Sequence, residues 1–95
     1  MSSRPPVTAQ DDWTDVLAPW LARAEAELGL PAGAAQLDVD RIHETTGAVA
    51  HGVQRSMAPI ASYLVGVAVG RGADLETACR AVEGLLAREA EATAS

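Results

Sequence analysis

The sequence predicts an all-α protein, a compact bundle of about four helices with short connections and mostly antiparallel neighbours. Apolar residues recur at intervals of three and four, and no segment shows the period of two typical of a half-buried strand. Stretches containing proline or glycine separate the apolar segments. Because 95 residues bury only about 60 to 65% of the unfolded surface, we expect a single core.

The domain organisation follows from where apolar residues begin and end. Residues 1–10 contain two prolines among small polar residues, which predicts a flexible N-terminal arm. Residues 11–90 form the predicted helical domain, and residues 91–95 form a frayed polar tail.

The first predicted helix starts near Asp11 and ends at Gly29. Pro19 removes one backbone hydrogen bond inside it, at a cost of about 3 kcal/mol, so we expect a kink between Val16 and Pro19. The two tryptophans astride the kink are expected in the core, and a docking surface is the alternative. The apolar stripe comprises Trp13, Val16, Leu17, Trp20, Leu21, Ala24 and Leu28.

The second predicted helix follows a proline- and glycine-containing linker, with Asp38 as its N-cap. Gly47 and Gly52 each cost about 1 kcal/mol of helix stability relative to alanine, which calls for a separate explanation. Its apolar side comprises Val39, Ile42, Thr46, Val49 and Val53.

The third predicted helix has Ser56 as its cap and Pro59 in its first turn. Residues 56–70 contain no charged side chain, so we expect this helix to be central in the bundle. It is shorter than the roughly 20 apolar residues that a bilayer span requires. The expected core face comprises Ile60, Tyr63, Leu64, Val67 and Ala68.

The fourth predicted helix begins after Asp74, which is expected to be its N-cap. Cys79 lies on its apolar side, where a small buried thiol is the ordinary expectation and a reactive thiol the weaker one. The helical repeat comprises Leu75, Ala78, Cys79, Val82, Leu85, Leu86 and Glu89.

Charge restricts the classes of partner. Seven arginines and thirteen acidic residues give a net charge of −6, which argues against nucleic acid or an anionic membrane as a partner. Residues 41–73 hold three arginines and one acid, a local charge of +2 between two acidic ends. All basic residues except the two histidines are arginine, which suggests a GC-rich, actinobacterial genome. One cysteine and an N-terminus without an apolar run predict a cytoplasmic protein.

Three patterns resemble known chemical sites, and each has a simpler explanation. His43 and His51 are separated by about 12 Å of helix and cannot share a metal, so we predict no metal or cofactor. Ser56 or Ser62 with His51 lacks a nucleophile elbow, so no catalytic residue is assigned. The glycines of residues 66–72 end a helix and do not follow a strand. They are therefore expected to allow close helix packing and a left-handed cap.

The most unusual segment is "AVAHGVQRSMAP", residues 48–59. His51 and Arg55 are expected one helical turn apart near a helix C-terminus, where cations gain roughly 0.3 to 1 kcal/mol. Gly52 removes a side chain that would block approach, and the arginine is suited to bidentate binding of a carboxylate or phosphate. The candidate residues for partner or anion binding are His51, Gly52, Arg55 and Pro59.

The pattern as a whole resembles a small uncharacterised domain of actinobacteria. That domain occurs alone or fused to nucleotidyltransferases similar to molybdenum cofactor guanylyltransferase. The resemblance covers about residues 12–87 and is most specific in "HGV.R..AP". It departs in "HETTGA", residues 43–48, which is more polar than expected and makes the second helix less regular. The residues that carry it are Trp13, "ELGL", Asp38, the run from Ala50 to Gly72 and the closing alanine-rich helix.

The resemblance implies an association with molybdenum cofactor maturation or molybdoenzymes such as formate dehydrogenase, and it implies no catalytic residue. The first hypothesis is therefore a non-catalytic accessory module that binds a protein of that system through His51 and Arg55. The alternative is a module that binds a small anion or nucleotide with the same residues, and an enzyme acting alone is a third, weaker hypothesis. A homodimer is open in each case.

Overall fold

The computed structural model describes residues 6–31 and 38–94. Within them lie a 3-10 turn at Val7–Ala9, a π-helical turn at Trp13–Leu17 and the helices α1 (Ala18–Glu27), α2 (Val39–Gly52), α3 (Met57–Gly70) and α4 (Leu75–Ala94). No strand occurs in these residues, so the all-α prediction is confirmed. The chain forms two compact units, Met1–Asp40 and Arg41–Ser95.

The first unit differs from the single helix that the sequence predicts. The amide of Leu17 donates to the carbonyl of Asp12, five residues back, at 3.1 Å, and the regular α-helix begins only at Ala18. Pro19 lies in the first turn of α1, where a missing N–H costs little. The sequence predicts an irregular backbone just before Pro19, and the structure has one. The backbone changes from π-helical to α-helical at Ala18.

The end of α1 agrees with the sequence. Gly29 has a positive φ of 73° and donates to the carbonyl of Ala26, while the amide of Leu30 donates to the carbonyl of Glu25. These two bonds form a Schellman motif, which satisfies carbonyls that the helix leaves unpaired. Gly29 ends the helix as predicted because it adopts this left-handed conformation without steric cost.

The first unit does not bury the tryptophans that the sequence assigns to the core. Trp20 is 57% exposed and Trp13 is only half-buried. No described residue of the three helical elements in this unit is buried. The described residues of the predicted arm include the turn Val7–Ala9, whereas residues 1–5 of the arm and most of the linker lie outside the described residues.

The second unit holds the buried side chains of the described chain. They are Thr45 and Val49 on α2, Val65 on α3 and Cys79 on α4. Cys79 is completely buried, which confirms the expectation of a small structural thiol. Thr45 is 1% exposed. The sequence pattern predicted Thr46, and not Thr45, on the apolar side of α2.

Helix α3 buries the face opposite to the one predicted. Val65 is 6% exposed, whereas Tyr63 is 70% and Leu64 is 59% exposed. The face that includes Ala61, Ser62 and Val65 is the less exposed one, and α3 contacts α4. Small side chains permit close approach of two helices, so the small-residue face packs inward and the large residues remain outside.

Helix ends in the second unit confirm some predictions and correct others. Asp74 caps α4, because its side chain accepts the amide of Thr77 at 3.0 Å. Gly72, with a φ of 105°, ends α3 in a second Schellman motif. Ser56 stands at the start of α3 but makes no side-chain cap bond, so its predicted capping role is wrong.

One further expectation about helix packing is not met. Space for a Cβ at Gly66 and Gly70 is open, since no atom lies within 4 Å, so these glycines do not bring a neighbouring helix close.

Helix α4 continues to Ala94, beyond the point where the sequence predicts a frayed tail. Alanine and glutamate favour helix continuation there, and the hydroxyl of Thr93 donates to the carbonyl of Glu89. In the described part of the chain, no helix is both long and apolar enough to cross a bilayer.

Candidate functional site

Residues 51–59 form a corner between α2 and α3, as the sequence predicts. Helix α2 ends at Gly52, and the amides of Val53 and Gln54 donate back to the carbonyl of Val49. The amide of Met57 donates to the carbonyl of Gln54, and that of Ala58 to the carbonyl of Arg55. The α2–α3 corner is thus a tight, hydrogen-bonded turn.

All four candidate residues of the corner are exposed. His51 lies in the last turn of α2, where a cationic side chain faces the helix carbonyls favourably. Arg55 lies in the turn after α2 ends, so the two residues are not one helical turn apart on a shared helix as predicted. Pro59 is in the first turn of α3, in agreement with the sequence.

Gly52, the last residue of α2, lies against α4. A Cβ built on Gly52 would lie 3.4 Å from Cδ2 of Leu86, so the position where a side chain would begin faces α4. Gly52 lines an open groove of about 780 Å³ between the ends of α2 and α4. The other lining residues are Val53, Leu86, Glu89, Ala90, Ala92 and Thr93.

The charged centre of the second unit is a set of residues that the sequence analysis missed. Arg41 and Thr45 are one turn apart on α2, and Glu76 and Glu83 are two turns apart on α4. We call these four residues the Arg41 cluster. Arg41 Nη1 and Nη2 bind the Glu83 carboxylate at 2.6 and 2.8 Å, and Nε binds Glu76 Oε1 at 2.7 Å.

Every N–H of the Arg41 guanidinium has an acceptor. Nη1 also donates to the Thr45 hydroxyl at 3.0 Å, and Nη2 also donates to Glu76 Oε2 at 3.3 Å. The Thr45 hydroxyl in turn donates to Glu83 Oε2 at 3.0 Å. An arginine with five donors in use has none left for a substrate, so the Arg41 cluster joins α2 to α4.

The same hydrogen bonds shift the acid–base equilibria of the Arg41 cluster. Hydrogen bonds from Arg41, and then from Arg80, lower the pKa of Glu76 to about 2. The hydrogen bond from Arg41 lowers the pKa of Glu83, and the pairing with both carboxylates raises the pKa of Arg41. The cluster is fully ionised at neutral pH, and neither carboxyl is suited to act as a general acid there.

The positive island predicted for residues 41–73 is therefore not a single patch. The charge of Arg41 is neutralised by two carboxylates, which leaves Arg55 and Arg71 as the other arginines of the island. Both are exposed, and neither makes an ion pair within the described residues. Arg55 lies two residues before the first residue of α3, and Arg71 is the C-cap residue of that helix. The two charges therefore lie at opposite ends of one helix.

Four large apolar side chains that are exposed lie between those two arginines in the sequence. Ile60 is 50%, Tyr63 70%, Leu64 59% and Val67 40% exposed. The spacing i, i+3, i+4, i+7 places these four side chains in one row along α3, which we call the outer row. Contiguous exposed apolar surface of this kind is typical of interaction sites.

Metal and thiol chemistry have little support in the described residues. No group of three or more His, Cys, Asp or Glu side chains among them has the arrangement to hold a metal ion. His43 is exposed, as expected for a surface residue. Cys79 is sealed in the core and has no access to a substrate.

Comparison with known families adds a classification. The family described as Domain of unknown function (DUF6457) matches residues 12–94. The chain belongs to the DUF6457 family. The match agrees with the expected resemblance to a small uncharacterised domain and extends it to residue 94, through nearly all of α4. No curated protein and no solved structure matches this DUF6457 chain.

The DUF6457 match contains the α2–α3 corner, the outer row and the Arg41 cluster. The corner was found from the sequence because His, Arg, Gly and Pro are conspicuous in an alanine-rich chain. One sequence pattern could have indicated the Arg41 cluster. Glu76 and Glu83 have i, i+7 spacing on one predicted helix, and Arg41 and Thr45 have i, i+4 spacing on another. That signal is weak, because such spacings are common on solvated helices.

Proposed function

We propose that this DUF6457 chain is a non-catalytic accessory module that binds another protein through the outer row of α3. The observation that carries the proposal is the exposure of Ile60, Tyr63, Leu64 and Val67 in a stretch that has no charged side chain. Apolar side chains in one row supply the buried centre of a helix-in-groove interface.

The α2–α3 corner borders the N-terminal end of this surface. Arg55 and Pro59 are exposed there, and His51 lies at the end of the preceding helix. Charged and polar groups at the rim of an interface contribute orientation and association rate more than affinity. In this proposal the corner residues that the sequence singles out are rim contacts, and the outer row is the centre.

The proposed partner is a molybdenum cofactor nucleotidyltransferase or a component of a molybdoenzyme. This part of the proposal is supported by the resemblance to actinobacterial domains fused to guanylyltransferase-like proteins. The proposal includes the cytoplasm of an actinobacterium as the location of the chain. Neither nucleic acid nor a membrane has a part in it, because the net charge is −6.

The test uses purified proteins from the same genome. The full chain is titrated against the guanylyltransferase-like protein and, separately, against a formate dehydrogenase component, with binding measured by calorimetry. We expect a Kd in the micromolar range or below with one of them, typical of a specific interface. If neither protein binds the chain, the molybdenum part of the proposal is wrong.

Variants then locate the surface. Leu64→Glu introduces a charge into the outer row and is expected to weaken binding at least about tenfold. Tyr63→Ser is a second variant, on a side chain that is 70% exposed and therefore not needed for folding. Leu85→Glu is the matched control, because Leu85 on α4 is 48% exposed and lies outside the row. Equal affinity for wild type and both outer-row variants would rule out this surface.

A second candidate function is binding of a small anion or nucleotide at the corner. It is favoured by the exposure of His51 and Arg55, and by the absence of an ion pair at Arg55 within the described residues. Guanidinium and phosphate pair bidentately, so pyrophosphate and GTP are suitable probes. A ligand that binds the native state raises the melting temperature, and Arg55→Ala should abolish the rise. No rise, or an equal rise in the variant, contradicts this alternative.

A further inference from the structure

The outer row lies on a helix with a distinctive charge pattern. Residues 56–70 contain no charged side chain, and the first charges on either side are Arg55 and Arg71. Helix α3 has fourteen residues, so the two cations are separated by about 20 Å along its axis. Arg71 is four residues beyond Val67 and continues the direction of the row past the end of the helix.

Both cations are available to a partner. Arg55 and Arg71 are exposed, and neither has an ion pair within the described residues. Two arginines of the second unit differ from them, since Arg41 is held by two carboxylates and Arg80 by Glu76. The charge left over in residues 41–73 therefore lies at the two ends of α3, the helix that carries the exposed apolar row.

This arrangement discriminates between possible occupants. A second copy that lays its own α3 along the row would place arginine against arginine at both ends, whether the helices run parallel or antiparallel. Like charges brought together at an interface are unfavourable and select against that partner. A helix with acidic residues at both ends pairs with Arg55 and Arg71 in either direction.

We propose, as an extension that rests on the proposed function, that the outer row binds an amphipathic helix of a partner protein with carboxylates at both ends. The partner helix contributes apolar side chains at intervals of three and four residues, which contact Ile60, Tyr63, Leu64 and Val67. Its terminal carboxylates, about 20 Å apart, pair with Arg55 and Arg71. The apolar contacts supply affinity, and the two ion pairs supply selectivity.

The experiment compares two synthetic 18-residue helical peptides with the same leucine stripe. One has glutamates at both ends and the other has lysines, and binding to the full chain is followed by fluorescence anisotropy. We expect the glutamate peptide to bind about tenfold more tightly at low salt, and the preference to shrink as salt screens the exposed pairs. Equal affinity for the two peptides would overturn the inference.

A charge-reversal variant tests whether the two arginines are responsible. The double variant Arg55→Glu and Arg71→Glu should reverse the preference, so that the lysine peptide binds more tightly. The control is Arg23→Glu with Arg88→Glu, which makes the same change in net charge at two other exposed arginines. An unchanged preference in the first variant, or an equal reversal in the control, contradicts the assignment.

The design separates this inference from the proposed function. If both peptides bind equally well and Leu64→Glu abolishes binding of both, the outer row is a docking surface but the partner is not selected by charge. If neither peptide binds, the docking surface itself loses support. Light scattering at the same concentrations identifies self-association, and a dimer that Leu64→Glu dissociates would make a second copy the occupant and overturn the inference.

Discussion

Two parts of the second unit differ in what surrounds their side chains. Between α2 and α4, the Arg41 cluster pairs every guanidinium N–H with an acceptor on the same chain. On the outside of α3, four large apolar side chains are left in contact with solvent. Exposed charge is ordinary on a protein surface, whereas exposed apolar rows are not. The Arg41 cluster therefore has a structural role, whereas the exposed row on α3 is the surface for which we propose recognition.

The largest expected effect comes from breaking the Arg41 cluster. Arg41→Leu leaves the Thr45 hydroxyl and the Glu83 carboxylate without their cation, and we expect the greatest loss of unfolding free energy among the variants discussed. Arg80→Leu is the matched control, because Arg80 also binds Glu76 but its side chain is 76% exposed. It should cost about 0.5 kcal/mol or less. Urea denaturation measures both, and similar losses would show that the cluster has no special importance.

Acidification provides a second way to weaken the same cluster. The folded-state pKa values of Glu76 and Glu83 are lowered from 4.5, to about 2 for Glu76. Their ionisation therefore stabilises the fold fully at pH values above 4.5, and this contribution disappears as pH falls toward 2. We expect the unfolding free energy to decrease over that interval.

The variant Glu76→Gln identifies the source of the acid effect. It removes one carboxyl with a lowered pKa, so the dependence of unfolding free energy on pH should become shallower below pH 4.5. Glu44→Gln is the control, since Glu44 is 70% exposed and its contact with Arg41 is 3.7 Å long. A slope that is unchanged in Glu76→Gln, or reduced equally in Glu44→Gln, would contradict the assignment.

The next effect separates the two faces of α3. Val65→Ala removes methyl groups from a side chain that is 6% exposed, and it should cost about 2 kcal/mol of unfolding free energy. Val67→Ala makes the same chemical change at a residue that is 40% exposed on the same helix. It should cost about 0.5 kcal/mol or less. Equal costs for the two variants would mean that the faces are not distinguished as the structure indicates.

The positions of the helices could be predicted from the sequence because local signals specify them. Gly29, Gly72 and Asp74 mark helix ends through conformations and hydrogen bonds made within a few residues. The irregularity before Pro19 is also local, since the π-helical turn Trp13–Leu17 ends directly before the helix that carries Pro19 in its first turn. Such features depend on neighbours in the chain, so they are visible without knowledge of the fold.

The buried face of α3 was predicted wrongly for a physical reason. A helix with no charged residue between positions 56 and 70 lacks the polar face that normally orients a helix. The sequence pattern predicted the large residues Tyr63 and Leu64 on the buried side, whereas the small face that includes Ala61 and Val65 is the one that packs. The choice depends on how closely α4 approaches, which is a property of two helices and not of one.

The candidate site was predicted in part. His51, Arg55 and Pro59 lie at a corner between two helices, as the sequence predicted. The structure adds that all three are exposed, which the sequence left open, and that Gly52 faces Leu86. The Arg41 cluster was missed because the hydrogen bonds that join Arg41 to Glu76 and Glu83 connect residues 35 and 42 positions apart in the chain. Pairing at that distance is decided by which faces of α2 and α4 meet, and no local pattern records it.

The smallest expected effect on stability is that of Leu64→Glu, the variant that tests the docking surface. Leu64 is 59% exposed, so a glutamate there leaves no cavity and buries no charge. We expect the unfolding free energy to change by about 0.5 kcal/mol or less, in contrast to Val65→Ala on the neighbouring face. Circular dichroism during thermal unfolding measures this. If the chain unfolds on this substitution, Leu64 belongs to a core and α3 has no exposed apolar face. If the variant is stable and no longer binds its partner, the outer row serves binding and not stability.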